Sequence, residues 1–427
     1  MTPSPVDHVE IHPLLAAALD QLPAMVEVRR RLHRIPEVGL QLPLTQQVVM
    51  DALRDLGLEP RPGGTTTAVT AVIEGVHPGP TILLRADMDG LPLREDTGLD
   101  FASTHPDAMH ACGHDTHMTM LLGAARLLLD RRDRLAGRVL LMFQPGEEGF
   151  HGARFMLDEG LLVDGPHGAA GVERAFALHI STRYPTGTIG LRPGSMMASS
   201  DTIRATIKGR GGHASAPHIA LDPITVAAEL VLALQVAVTR SIDVFDPAVL
   251  TIGKIAGGTT NNIIPESVEI QGTMRAVSAA TRDTLHALVR RVAEGVVAAH
   301  GAEIDLEIIH GYPVLVNDVE VAGWVEDLAR TLLGPDAVER FASPIMGAED
   351  FSYVTEAVPA VMAFVGAALP GSDPATVAQN HSNRVVFHEQ AMAAGAALYA
   401  AAALDFLHGT TDAADATDAT DAEAGDA

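Results

Sequence analysis

TILLRADMDG, residues 81–90, runs apolar from Ile82 to Leu84 and turns polar at Arg85, Asp87 and Asp89. GRVLLMFQPGEEG (137–149) and AFALHI (175–180) repeat the plan, an apolar run that becomes polar at its C-terminal end. Runs of this kind read as parallel strands buried on both faces. Between the first two, Met118, Leu121, Leu122, Ala125 and Leu128 recur at helical spacing. Strands alternating with helices predict an α/β fold with a mostly parallel sheet, whose ligand site lies beyond the carboxyl ends of the strands. The polar residues that follow these three strands are therefore expected close together.

From about residue 200 the period changes. In DTIRATIKG (201–209) Ile203, Ala205 and Ile207 alternate with polar residues, as in a half-exposed strand. DPITVAAELVLALQVAV follows as a helix with Pro223 near its start. The strands AVLTIGKI and ESVEIQGTMRA come next, then a helix with Leu285, Leu288, Val289, Val292 and Val296 as its stripe, then EIDLEII. That order, β-α-β-β-α-β, is a ferredoxin-like split βαβ unit. The expected organisation is a catalytic domain in two parts, residues 1–190 and 311–408, with a small domain inserted at 191–310 and a disordered acidic tail at 409–427.

Length and composition agree. A chain of 427 residues is too long for one simple core, and 47% hydrophobic residues suffice to bury two. The N-terminus lacks the basic start and apolar run of a secretion signal, and no stretch is expected to reach membrane-spanning length, so the expectation is a cytoplasmic protein. One cysteine excludes an internal disulfide and agrees with a reducing compartment. A net charge of −25 repels phosphate backbones, and no Lys/Arg cluster with interleaved aromatics offsets it, which argues against nucleic acid as a partner. Part of that charge is local: Asp412, Asp415, Asp418, Asp421, Glu423 and Asp426 lie in a tail without bases or large apolar residues.

The single thiol stands in DAMHACGHDTHMTM (107–120), with three histidines around it. Cys112 and His114 are donors two residues apart near a helix start; Glu147 and Glu148 follow one strand, His179 ends another, and His381 sits in QNHSN. Thiolate, imidazole and carboxylate together suit Zn2+ or a similar transition metal. Adjacent glutamates allow one to bind metal while its neighbour takes a proton from water. Each signal alone is weak, since a lone histidine, a glutamate pair or a buried cysteine is commonly structural. Their convergence on strand ends and neighbouring loops favours one metal site. His110, His117, Asp115, Asp87 and Asp89 read as groups that orient ligands.

LHRIPEVGL (32–40), LLRADMDGLPL (83–93), MHACGHDTHM (109–118), QPGEEG (144–149), ALHI (177–180), GGHASAPH (211–218), GGTTNNIIPE (257–266), GTMRA (272–276) and MGAEDFS (346–352), taken in order, resemble the M20 metallopeptidase family. The likeness is to the amidohydrolase branch that includes hippurate, N-acyl-amino-acid and auxin-conjugate hydrolases. It implies that Cys112, His114, Glu148, His179 and His381 bind two divalent ions, Zn2+ or Mn2+ with Co2+ or Ni2+ as further options. It also implies Glu147 as general base and His213 as an oxyanion donor, often supplied by the partner subunit of a dimer. Related branches carry His-x-Asp where this chain reads Asp87-Met88-Asp89.

The resemblance thus implies an aminoacylase-like amidohydrolase that splits N-acyl amino acids into carboxylic acid and amino acid with metal-activated water. The inserted domain would act as a lid and carry a homodimer or tetramer contact. A substrate carboxylate suits a guanidinium fork, for which Arg275 is the candidate, with Asn262 as an amide partner. Met196, Met197 and Met346 are options for an acyl pocket. Rival readings are an M20-type dipeptidase, a hydrolase with Cys112 as nucleophile, and a non-catalytic metal-binding protein.

Overall fold

A computed structural model describes residues 12–373 and 375–408; the acidic tail assigned to 409–427 lies outside them. The chain divides into two compact units. The first comprises residues up to Pro193, Asn317–Phe341 and the chain from Val354 on; the second comprises Gly194–Val316 and Ala342–Tyr353.

An eight-stranded sheet organises the first unit, in the order Arg61–Pro62, Val69–Glu74, Ala136–Gln144, His77–Asp87, Val172–Pro185, Ala360–Ala368, Ile189–Leu191, Val338–Arg340. The central strands His77–Asp87, Ala136–Gln144, Val172–Pro185 and Ala360–Ala368 are mutually parallel, and antiparallel pairs flank them. Ile82, Leu83 and Leu84 are wholly buried, as a strand covered on both faces requires. The helices Pro13–His33, His114–Leu129 and Ala391–Leu407 pack on one another. Small residues set their approach: a Cβ on Gly395 would stand 2.1 Å from the Met120 sulfur, so a larger residue there would have to push that side chain aside.

Register explains one departure from the sequence reading. The third strand runs on to Pro185 and does not end near His179. Its pairing with His77–Asp87 stops at Ala177, opposite Arg85, while Asp87 faces Gln144 on the other side. His179 therefore overhangs its neighbour at the level of Asp87, at the sheet's carboxyl edge although inside a longer strand.

The second unit holds Asp201–Lys208, Pro223–Ser241, Ala248–Gly257, Ser267–Ala276, Ala279–His300 and Glu303–His310, a β-α-β-β-α-β succession. Its main sheet has the order Ala248–Gly257, Ser267–Ala276, Asp201–Lys208, Glu303–His310, antiparallel throughout. Ile203, Ala205, Ile207, Val268, Ile270 and Met274 form a core with Leu230, Leu234, Leu285 and Val289 of the two helices. Asp222 and Ser278 cap those helices by accepting the N–H groups of Ile224 and Thr281. One expectation needs correction: the Pro223–Ser241 helix, with 19 residues and mean hydropathy 1.5, is long and apolar enough to cross a membrane by length and composition. Its apolar character serves the sheet on one side only, through Val226, Ala227, Leu230 and Leu234, and leaves Leu232 and Val236 exposed.

Candidate metal centre

The loop that delivers Cys112 and His114 is shaped by Gly113, whose φ of +88° belongs to the left-handed region. A Cβ there would lie 2.4 Å from Ile180 Cγ2, so the loop lies tight against the overhanging strand. The turn sets Cys112 beside His179, with Sγ 3.4 Å from Nε2. His179 donates from Nδ1 to the Ile180 carbonyl at 2.8 Å, which leaves Nε2 as the bare lone pair facing the thiol.

His114 opens the helix and is fully buried, yet neither ring nitrogen makes a hydrogen bond. Its Nδ1 lies 3.3 Å from Asp89 Oδ1, and its Nε2 lies 3.6 Å from Asp87 Oδ2 and 4.0 Å from Glu148 Oε1. Glu148 Oε1 in turn stands 3.1 Å from Nε2 of His381. His381 has φ +69°, and its N–H donates to the Ala111 carbonyl at 2.9 Å. Among the described residues only His151 and His381 hold positive φ without being glycine. Backbone strain of this kind is tolerated where the surroundings fix it.

Three overlapping trios result, Cys112–His114–His179, Cys112–Glu148–His381 and His114–Glu147–Glu148, each offering ligand atoms within 4.8 Å of one another. Cys112 belongs to two of them. A thiol, three imidazoles and two carboxylates converge here, with the buried His114 nitrogens facing carboxylates but making no hydrogen bond, and this donor set fits divalent transition-metal ions. Burial alone would lower His114, but Asp87, Asp89 and Glu148 outweigh it and raise it to about 10. Burial, Glu148 and Glu147 push the Cys112 thiol well up. The carboxylates gathered around these two groups thus add to burial at Cys112 and oppose it at His114.

The flanking polar residues divide by hydrogen bonding. Ile180 donates its N–H to His117 Nε2 at 2.7 Å, so the His117 proton is on Nδ1 and goes to Asp87 Oδ1 at 2.6 Å. Asp87 Oδ2 is taken by Arg85 at 2.7 Å. Both ring nitrogens of His117 and both carboxylate oxygens of Asp87 are thus engaged in hydrogen bonds, through which the two residues orient their neighbours. Asp89 does more: its two carboxylate oxygens accept the N–H groups of Glu147 and Glu148 at 3.0 and 3.1 Å. One carboxylate thus fixes both glutamates and lies against His114. Asp115 pairs with Arg29 and His33, and His110 is buried with neither ring nitrogen hydrogen-bonded.

His213, Asn262 and Arg275 belong to the second unit. His213 is exposed and pairs with Ile263, and the Asn262 carbonyl accepts the Ala214 N–H at 3.1 Å, so His213 and Asn262 share one corner. Ser215 donates its backbone N–H to His213 Nδ1 at 3.1 Å, which puts the imidazole proton on Nε2. Arg275 is half-buried on Ser267–Ala276, its guanidinium pKa lowered by burial against the nearby charge of Asp201. Met196 is fully buried and fills core, Met197 is buried, and Met346 is half-buried. The sequence reading did not single out Ser215 or Asn380, and it gave Asp89 only a generic orienting part. Adjacency to a ligand or to the motif histidine was their one available signal.

The model of peptidase family M20/M25/M40 matches residues 83–405. N-acetyl-L-cysteine deacetylase of Bacillus subtilis is 37% identical over 361 residues, covering 84% of this chain and 83% of its own. Thermostable carboxypeptidase 1 of Saccharolobus solfataricus is 36% identical over 386 residues, covering 90% of this chain and 95% of its own. Bacillus subtilis YXEP, a dinuclear metal-binding peptidase of family M20, superposes with a TM-score of 0.77 at 31% identity, covering 91% of this chain and 99% of its own.

Proposed function

The chain belongs to peptidase family M20/M25/M40, in its amidohydrolase branch, and is a hydrolase of amide bonds; from that premise we propose that it cleaves N-acyl amino acids to a carboxylic acid and a free amino acid. The observation that carries this reading is the pair Glu147 and Glu148 held by the single carboxylate of Asp89. Adjacent side chains point to different tasks. Glu148 joins Cys112, His114, His179 and His381 as the ligand set for two divalent ions, Zn2+ or Mn2+ by donor type. Bound there, such ions supply Lewis acidity, which acidifies water and draws charge from a carbonyl oxygen.

The protein's own groups do the rest. Glu147, buried and with its backbone fixed, takes the water proton and delivers it to the leaving nitrogen. His213, with its proton on Nε2, donates to the oxygen that gains charge. Arg275 meets the substrate carboxylate as a two-pronged donor, with Asn262 as an amide partner. We place the second unit as lid and homodimer contact, and the protein as cytoplasmic with small-molecule substrates.

Glu147→Gln tests the division of labour. Metal content should match wild type, and amide turnover should fall about 10²–10⁴-fold, the range for losing a general base. Wild-type turnover in that variant would remove Glu147 from the chemistry. The carboxypeptidase relative supports a second reading, release of a C-terminal amino acid from a peptide by the same residues.

A further inference from the structure

The residue before His381 ties the centre together. Asn380 Nδ2 donates to the Cys112 carbonyl at 3.0 Å and to the Ile180 carbonyl at 3.0 Å, and it also lies 4.0 Å from Cys112 Sγ. Both acceptors are carbonyl oxygens, so the amide nitrogen must face them, which fixes the orientation of the side chain. Cys112 is itself a candidate ligand, Ile180 follows the ligand His179 and receives its Nδ1–H, and His381 is the next residue in the chain. One amide group therefore bridges the three segments that bring Cys112 with His114, His179, and His381. The His381 N–H to the Ala111 carbonyl closes the same corner and holds the strained φ of +69°.

Resting on the metal-centre reading above, we propose that Asn380 is a positioning residue of the metal centre, one whose amide, through the Cys112 and Ile180 carbonyls, sets the spacing of Cys112, His179 and His381. Asp at this position keeps the volume but sets carboxylate oxygens against two carbonyls, and Ala removes the bridge. Groups that hold ligands in place typically change metal affinity 10–100-fold when lost.

The test is chelator competition for Zn2+, with absorption spectra of the Co2+-loaded protein, on wild type, Asn380→Ala, Asn380→Asp and Cys112→Ser. Circular dichroism of the metal-free proteins checks folding. Expected are folded Asn380 variants with about 10–100-fold weaker Zn2+ binding and a shifted or weakened thiolate-to-cobalt band. Binding within threefold of wild type with an unchanged band, in either folded variant, overturns the proposal. So does failure of both variants to fold, because the amide would then be a determinant of the fold itself. Absence of a thiolate band in wild type, or its persistence in Cys112→Ser, would refute the ligand set and not the bridge.

Discussion

Asp89 spends both carboxylate oxygens on the peptide N–H groups of Glu147 and Glu148, so its loss should displace base and ligand at once. Asp89→Ala should lower kcat about 10–100-fold or more, with a matching fall in metal affinity by chelator competition. An unchanged kcat would leave the glutamates positioned by something else. His213→Ala should cost kcat about 10²–10³-fold with a smaller change in KM, as expected for a donor that acts on developing charge; a pure KM effect would make it a substrate contact. Residue type singled out Cys112, His114, Glu148 and His179 as candidate ligands in the sequence, since thiolate, imidazole and carboxylate are what metals take, and the fold brings them together. Asp89 and Asn380 act through hydrogen bonds to backbone 58 and 268 residues away. No spacing encodes such a pairing before the sheet register is known.

Elements carry their own tests. The turn before the His114–Leu129 helix depends on Gly113, and Gly113→Ala would meet both a positive φ and Ile180 Cγ2 at 2.4 Å. The backbone part alone should cost about 1–3 kcal/mol in urea denaturation, with metal affinity falling as Cys112 and His114 move. Neutral stability would mean that the loop relaxes freely. The Pro13–His33 helix is tied to the following loops by His33, whose Nε2 lies 3.3 Å from Glu95 Oε1. Burial on its own would raise the Glu95 carboxyl, but hydrogen bonds from His33, the Ser103 N–H and the Thr97 hydroxyl outweigh it and lower it from 4.5 to about 2. A group more acidic in the fold than in the unfolded chain stabilises the fold above its unfolded value, and the benefit is lost as pH falls from 4.5 towards 2. The unfolding free energy of wild type should drop more steeply across that window than that of Glu95→Gln; parallel slopes would deny the pair its role. The parallel strands and the split βαβ unit were legible as apolar runs and alternation. The overhang of His179 was not, because it depends on where a neighbouring strand stops.

For the whole molecule, the second unit presents Leu232 at 69%, Val236 at 61% and Phe245 at 93% exposure on one helix and its exit, apolar groups that a subunit contact would cover. In the dimer reading, Leu232→Glu with Val236→Glu should shift sedimentation from dimer to monomer and depress activity, while a wild-type monomer at micromolar concentration would refute it. The central claim, metal-dependent cleavage of N-acyl amino acids, rests on substrate chemistry. The most direct measurement is amine release by the protein loaded with Zn2+, Mn2+ or Co2+ from N-acetyl, N-benzoyl and indole-acetyl amino acids beside plain dipeptides. Metal-dependent release from the acylated set is the predicted result. Release from dipeptides alone would move the activity to peptides, and no release from any substrate with any of these metals would contradict the claim.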